Sequence, residues 1–125
     1  DYTRVTNIAR SRAEEVLSQP FNGTNLTVPT GQTSLTVDDY FDKATQQWTT
    51  TLPAKVDWHR NTVITQYSLG NLDPVSLTFT NPLSGSSSGT FVHLKQVQVT
   101  VTSASQGSGI LGHRRQAIMR VLKAF

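Results

Sequence analysis

The sequence has no cysteine, which excludes thiol nucleophiles, a disulfide framework and cysteine-ligated zinc while leaving the redox compartment unfixed. It has no apolar run near the roughly 18 residues of a spanning helix, and no signal-peptide pattern. Charge is scarce too. Asp, Glu, Lys and Arg make up 15% of the 125 residues, and 11 basic against 8 acidic side chains leave a formal +3. So small an excess does not by itself imply a nucleic-acid partner. The length suits one domain, residues 1–125, and a hydrophobic content of 36% suits one modest core, which sets aside repeat arrays and multidomain enzymes. What the chain has in quantity is Thr and Ser, fitting a β-rich surface whose hydroxyls meet water.

The clearest element is a helix over residues 1–20. Val5, Ile8, Ala9, Ala13, Val16 and Leu17 recur at steps of three and four and fall on one face, with Arg4, Arg10, Arg12, Glu14 and Glu15 over much of the rest. Pro20 ends it, and Phe21-Asn22-Gly23 reads as the turn beyond. The helical pattern is already running at Asp1-Tyr2-Thr3, which points to a longer helix in the parent protein. Residues 21–55 read as an irregular connection, in which Tyr40, Phe41, Ala44 and Trp48 fit a short helix as well as a strand.

Residues 56–125 read as antiparallel sheet. Val63, Thr65, Tyr67 and Leu69 alternate with Thr62, Gln66 and Ser68; Val75, Leu77 and Phe79 continue with period two; Val97, Val99 and Val101 share one side of a third run. The closing segment, 113–125, carries two periods. Ala117, Ile118, Val121, Leu122 and Phe125 have helical spacing, whereas Ala117, Met119, Val121 and Phe125 fit a strand interrupted by Lys123. The glycine-rich stretch from Gln106 to Gly112 suits a hairpin loop and favours the strand.

Several motifs have plainer readings. Gly85-Ser86-Ser87-Ser88-Gly89 has the spacing of a hydrolase elbow but leads into a strand pattern, so a flexible loop explains it better. Gly107-Ser108-Gly109-Ile110-Leu111-Gly112 matches the dinucleotide fingerprint, yet a Rossmann unit needs a further helix, strand and acidic residue that the remaining residues do not supply. His59, His93 and His113 lack metal-ligand spacing. Asp38, Asp39 and Asp42 lack the glycine and glutamate of a calcium loop, and a solvated acidic turn or helix start accounts for them. Asn22-Gly23-Thr24 and Asn25-Leu26-Thr27 match the glycosylation acceptor, as Thr-rich sequences do by chance. His113, Arg114, Arg115, Arg120 and Lys123 form the one basic run without an interleaved acid. Arg114, Arg115, Arg120 and Lys123 are therefore the candidate interaction surface, either guarding an edge strand or tracking phosphates.

The order of helix, irregular connection and Val/Thr-rich antiparallel strands resembles the soluble region of type IV pilin-like proteins, in particular the minor pilins and minor pseudopilins of the PilV and type II secretion classes. Residues 9–21, Ala-Arg-Ser-Arg-Ala-Glu-Glu-Val-Leu-Ser-Gln-Pro-Phe, look like that family's stretch where the long helix leaves the membrane and closes with an acidic pair, a leucine and a proline-aromatic turn. Leu94 to Thr102, the glycine loop and the basic-apolar closing segment resemble its final hairpin. The resemblance implies an α+β fold, one helix packed on an antiparallel sheet of about four strands. It also implies a structural subunit of a type IV pilus or type II secretion pseudopilus, at the bacterial periplasm or cell surface, with other pilin or pseudopilin subunits as partners. No enzyme activity, cofactor or metal is expected. The family's leader, Phe and Glu pair and apolar helix do not precede Asp1, so the chain is expected to be a truncated globular part whose parent reaches the inner membrane through that helix.

Two other readings stand beside it. A β-sandwich adhesin or carbohydrate-binding module would use Trp48, Trp58, Tyr40 and Tyr67 as stacking surfaces; it requires about seven strands and no helix in the first 20 residues. A DNA-uptake minor pilin would use the closing basic segment.

Overall fold

The computed structural model describes residues 2–85, 91–103 and 115–125. Helix α1 spans Tyr2–Leu17 and buries Val5, Ala9, Ala13 and Val16, a stripe that a 3.6-residue turn brings to one side. Its two alanines keep the stripe thin, so the helix backbone can lie close to what it covers. Ile8 packs beside the stripe, whereas Leu17, expected in the same row, is only half-buried. The helix stops short of Pro20, and a bond from Gln19 N to Val16 O tightens the final turn.

The strands are β1 (Leu35–Asp42), β2 (Gln47–Thr49), β3 (Val56–Tyr67), β4 (Leu72–Asp73), β5 (Thr78–Phe79), β6 (Leu94–Ser103) and β7 (Gln116–Ala124). Five of them form one antiparallel sheet in the order β2-β1-β3-β6-β7, while β4 and β5 make a separate two-stranded hairpin. The fold is α+β, as expected, with five strands in the main sheet. α1 packs on β6 and β7, and the core between helix and sheet holds Ile64, Val97, Val99 and Val101 with Leu26 from the connection. Each such fully buried aliphatic contributes about 1.5–3 kcal/mol.

Three local readings are corrected. The stretch 21–55 is not irregular throughout, because β1 and β2 lie within it. Leu35, Val37 and Phe41 do alternate, but Asp39 occupies the inward position between them and breaks the apolar row; it pairs with Arg60 directly across on β3. In β3 the inward row is Thr62, Ile64 and Gln66, not Val63 and Thr65. Register decides this, since Ile64 stands opposite Val97 and Thr62 opposite Val99, and both valines are fully buried. Finally, Val75 and Leu77 are not strand residues. They sit on the turn between β4 and β5, with Val75 91% exposed and Leu77 at φ 58°.

Candidate functional site

The closing segment is a strand, and β7 is an edge of the sheet, but its basic residues do not form one surface. Side chains alternate across a strand. Lys123 therefore shares the helix-facing side with Ala117, Met119 and Val121, and its Nζ donates to Leu17 O at the end of α1. A cation there answers the helix dipole and an orphan carbonyl together. Arg120 is on the opposite face, its Nε donating 2.8 Å to Gln98 Oε1 on β6. Arg115 is exposed just before β7, its carbonyl accepting from Ser103 N. Arg114 and His113 lie outside the described residues, as do the Gly107–Gly112 fingerprint and residues 86–89 of the Ser/Gly motif.

A concavity among the described residues lies elsewhere, between α1 and the β1–β2 side of the sheet. α1 sits over β6 and β7, leaving a cleft of about 500 Å³ beside it, where Thr3, Asn7 and Ser11 face Trp48 and Arg60. A second hollow of about 340 Å³ continues along the helix between Arg12, Glu15 and the β1 residues Leu35 and Val37. Arg60 organises the floor. Its Nε donates 2.9 Å to Asp39 Oδ1 and a second nitrogen donates to Oδ2, giving a two-pronged pair. The guanidinium also lies 3.9 Å from the centre of the Trp48 ring, a cation–π contact. Phe41 joins Trp48 and Trp58, each at 5.3 Å between ring centres, and Arg4 of α1 lies 5.5 Å over Trp58. Trp58 thus reaches the helix, while Trp48 ties β2 to β1 and β3. Tyr40 is on the other face, stacked 4.9 Å from His59, and Tyr67 is buried against Phe79. The four aromatics do not share a platform.

The three aspartates point to different partners. Asp38 Oδ1 lies 2.8 Å from His59 Nε2 and accepts from Asn61 Nδ2 at 2.9 Å. Hydrogen bonds from Asn61 first, then from His59, hold its carboxyl below the usual value. Asp39 faces Arg60 on the helix side, and Asp42 accepts from Ala44 N. Among the described residues no group of three or more His, Asp or Glu is placed to hold a metal ion. His93 is fixed structurally, its Nδ1 accepting from Leu69 N.

Sequence reasoning passed over Lys95. It lies on the inward row of β6 and is only 4% exposed, donating to Phe21 O at 2.6 Å and Leu26 O at 2.8 Å. Its ammonium stands 4.7 Å from the Phe21 ring. Burial pushes its pKa below the ordinary lysine value. The signal was available: Lys95 continues the period-two row Val97, Val99, Val101, so a charge was due to point inward there.

No protein-family model, curated protein or solved structure matches the chain.

Proposed function

We propose that this chain is the globular part of a filament subunit, of a type IV pilus or a type II secretion pseudopilus, acting by assembly with other pilin or pseudopilin subunits. In this reading an apolar helix continuous with α1 anchors the parent in the inner membrane before assembly, and the sheet forms the outer layer of the filament. The observation that supports it is the seating of α1: one apolar stripe, Val5 to Val16, is buried against β6 and β7, while Arg4, Asn7, Arg10, Ser11 and Glu14 stay exposed for neighbouring subunits. The sandwich adhesin draws no support from a fold with one five-stranded sheet and a helix at Tyr2–Leu17. The separation of Arg120 from Lys123 likewise weakens a phosphate-tracking surface.

The test is made in the source cells, with an epitope tag inserted beside Leu52, which is 67% exposed between β2 and β3. Sheared filaments should carry the tag by immunogold labelling, and deleting the gene should reduce filament number or secretion. Recovery of the tag only among soluble proteins, with filaments and secretion unchanged on deletion, would overturn the proposal.

A further inference from the structure

The two edges of the main sheet are unequally guarded. β2 is three residues long, and a short edge strand gives another chain little to pair with. β7 is nine residues long, has no proline, and pairs with β6 without a register shift from Leu94 opposite Ala124 to Thr102 opposite Gln116. It is a regular edge without a bulge.

Bonds from Ser103 N to Arg115 O and from Phe125 N to His93 O lie just beyond the two ends of that ladder. Antiparallel alternation then turns the main-chain groups of Ala117, Met119 and Val121 toward β6, and those of Ile118, Arg120 and Leu122 toward the open side. Among the described residues no other strand pairs with that side. Two charges on the strand itself are engaged elsewhere: Lys123 is drawn to Leu17 O beneath the helix, and Arg120 to Gln98 across the back of the sheet. Ile118 and Leu122 flank Arg120 on that back face, 51% and 56% exposed.

We propose that β7 is a docking edge for an extended segment of a partner protein, which adds a sixth strand with an acidic side chain opposite Arg120 and apolar side chains two residues to either side. Main-chain pairing supplies the attachment, and alternate side chains supply the selectivity. Charge argues against a second copy in the register that would match its two exposed aliphatics. Two β7 strands related by a two-fold axis at residue 120 would match Ile118 with Leu122 but set Arg120 against Arg120, a like-charge pair that opposes the contact. An acidic residue at that place turns the same position favourable. The edge is available to such a strand whether the chain serves a filament or another assembly.

The probe is a capped nine-residue peptide, Thr-Thr-Val-Thr-Glu-Thr-Val-Thr-Thr, titrated into the folded chain while amide exchange and NMR shifts are followed. Slower exchange is expected at Ile118, Arg120 and Leu122, with no change at Val97 or Val99. Replacing the central Glu of the peptide by Lys should weaken binding about fivefold, the span of a cross-strand charge reversal. Ile118→Pro removes one outward N–H and spares the β6 ladder, since proline is accepted where its missing N–H faces solvent; binding should be lost while the amide spectrum of β3 and β6 is kept. Ile118→Lys retains the N–H and should weaken binding without disturbing the fold, a second variant should proline unfold the strand. No protection at millimolar Glu peptide, equal affinity for the Glu and Lys peptides, or unchanged binding by both variants would overturn the proposal. So would concentration-dependent protection of β7 without peptide, which would name a second copy as the occupant.

Discussion

Asp39 and Arg60 face each other across β1 and β3 at 7% and 8% exposure, so Asp39→Ala would leave a guanidinium buried without its counter-charge. Breaking a buried pair from one side costs about 3–5 kcal/mol. Two features place this case at the lower end. Arg60 keeps its contact with the Trp48 ring, of the order of 0.5–2 kcal/mol, and it borders the cleft beside α1, through which water can reach the freed nitrogens. The expected loss is therefore about 3 kcal/mol. In urea unfolding followed by tryptophan fluorescence, the midpoint should fall by about 1–3 M at a typical denaturant slope. The second arm removes both charges: Asp39→Leu with Arg60→Met should return stability to within about 1 kcal/mol of the parent, because the desolvation penalty disappears with the pair. A loss below about 1 kcal/mol for Asp39→Ala, or a double variant as unstable as the single one, would refute the reasoning.

Lys95→Ala strips two carbonyls of their donor, one of them on fully buried Leu26, and should cost about 3 kcal/mol with faster amide exchange over residues 21–28; unchanged exchange there would contradict the role. Gly85→Ala would place a Cβ 2.1 Å from Val28 O and 2.2 Å from Pro29 O, backbone atoms that cannot swing aside, so a thermal melt should show about 1–3 kcal/mol of destabilisation, and a neutral result would count against that close approach. Asp38 titrates below its ordinary 3.8, so as pH falls the unfolded chain takes up this proton first. Its stabilising contribution is present above about pH 3.8 and is lost as pH falls through the folded value. Asn61→Ala should raise the Asp38 pKa toward 3.8, read by carbon-detected NMR of the carboxyl, and an unmoved titration would remove Asn61 as the main cause.

How far the fold was legible followed from how cleanly apolar residues kept their period. α1 announced itself because Val5, Ala9, Ala13 and Val16 lie where a helical stripe requires them, and β6 because Val97, Val99 and Val101 repeat at two without interruption. β1 was hidden by a single residue. Asp39 in an inward position makes Leu35, Val37 and Phe41 look unrelated, and only the partner 21 residues later on β3 makes the position tolerable. β3 was seen as a strand but read in the wrong phase, since Thr62 and Gln66 look like surface residues. Thr62 accepts from Arg12 Nε of α1 at 3.2 Å, and Gln66 Nε2 donates to Ser84 O. Long-range partners of this kind leave no trace in local spacing. Val75 and Leu77 failed the other way: their period was right, but eight residues from Leu72 to Phe79 close into a hairpin of two-residue strands, too short to bury the alternating row.

The candidate surface in the closing segment was read as one patch because charge was counted along the chain, whereas a strand distributes successive side chains to opposite faces. Lys123 and Arg120 are three residues apart and so cannot share a face of β7. One closes the end of α1, and the other leans back over β6. That division changes what the edge is for. Had both cations projected past β7, they would have repelled an incoming strand; with both held inward, the outward N–H and C=O groups of Ile118, Arg120 and Leu122 lose those two guards. Burying Lys123 against Leu17 O thus serves helix seating at the expense of edge protection. A regular edge with exposed aliphatics persists in a folded chain at the risk of aggregation unless something covers it, and the acidic partner strand proposed for β7 would be such a cover.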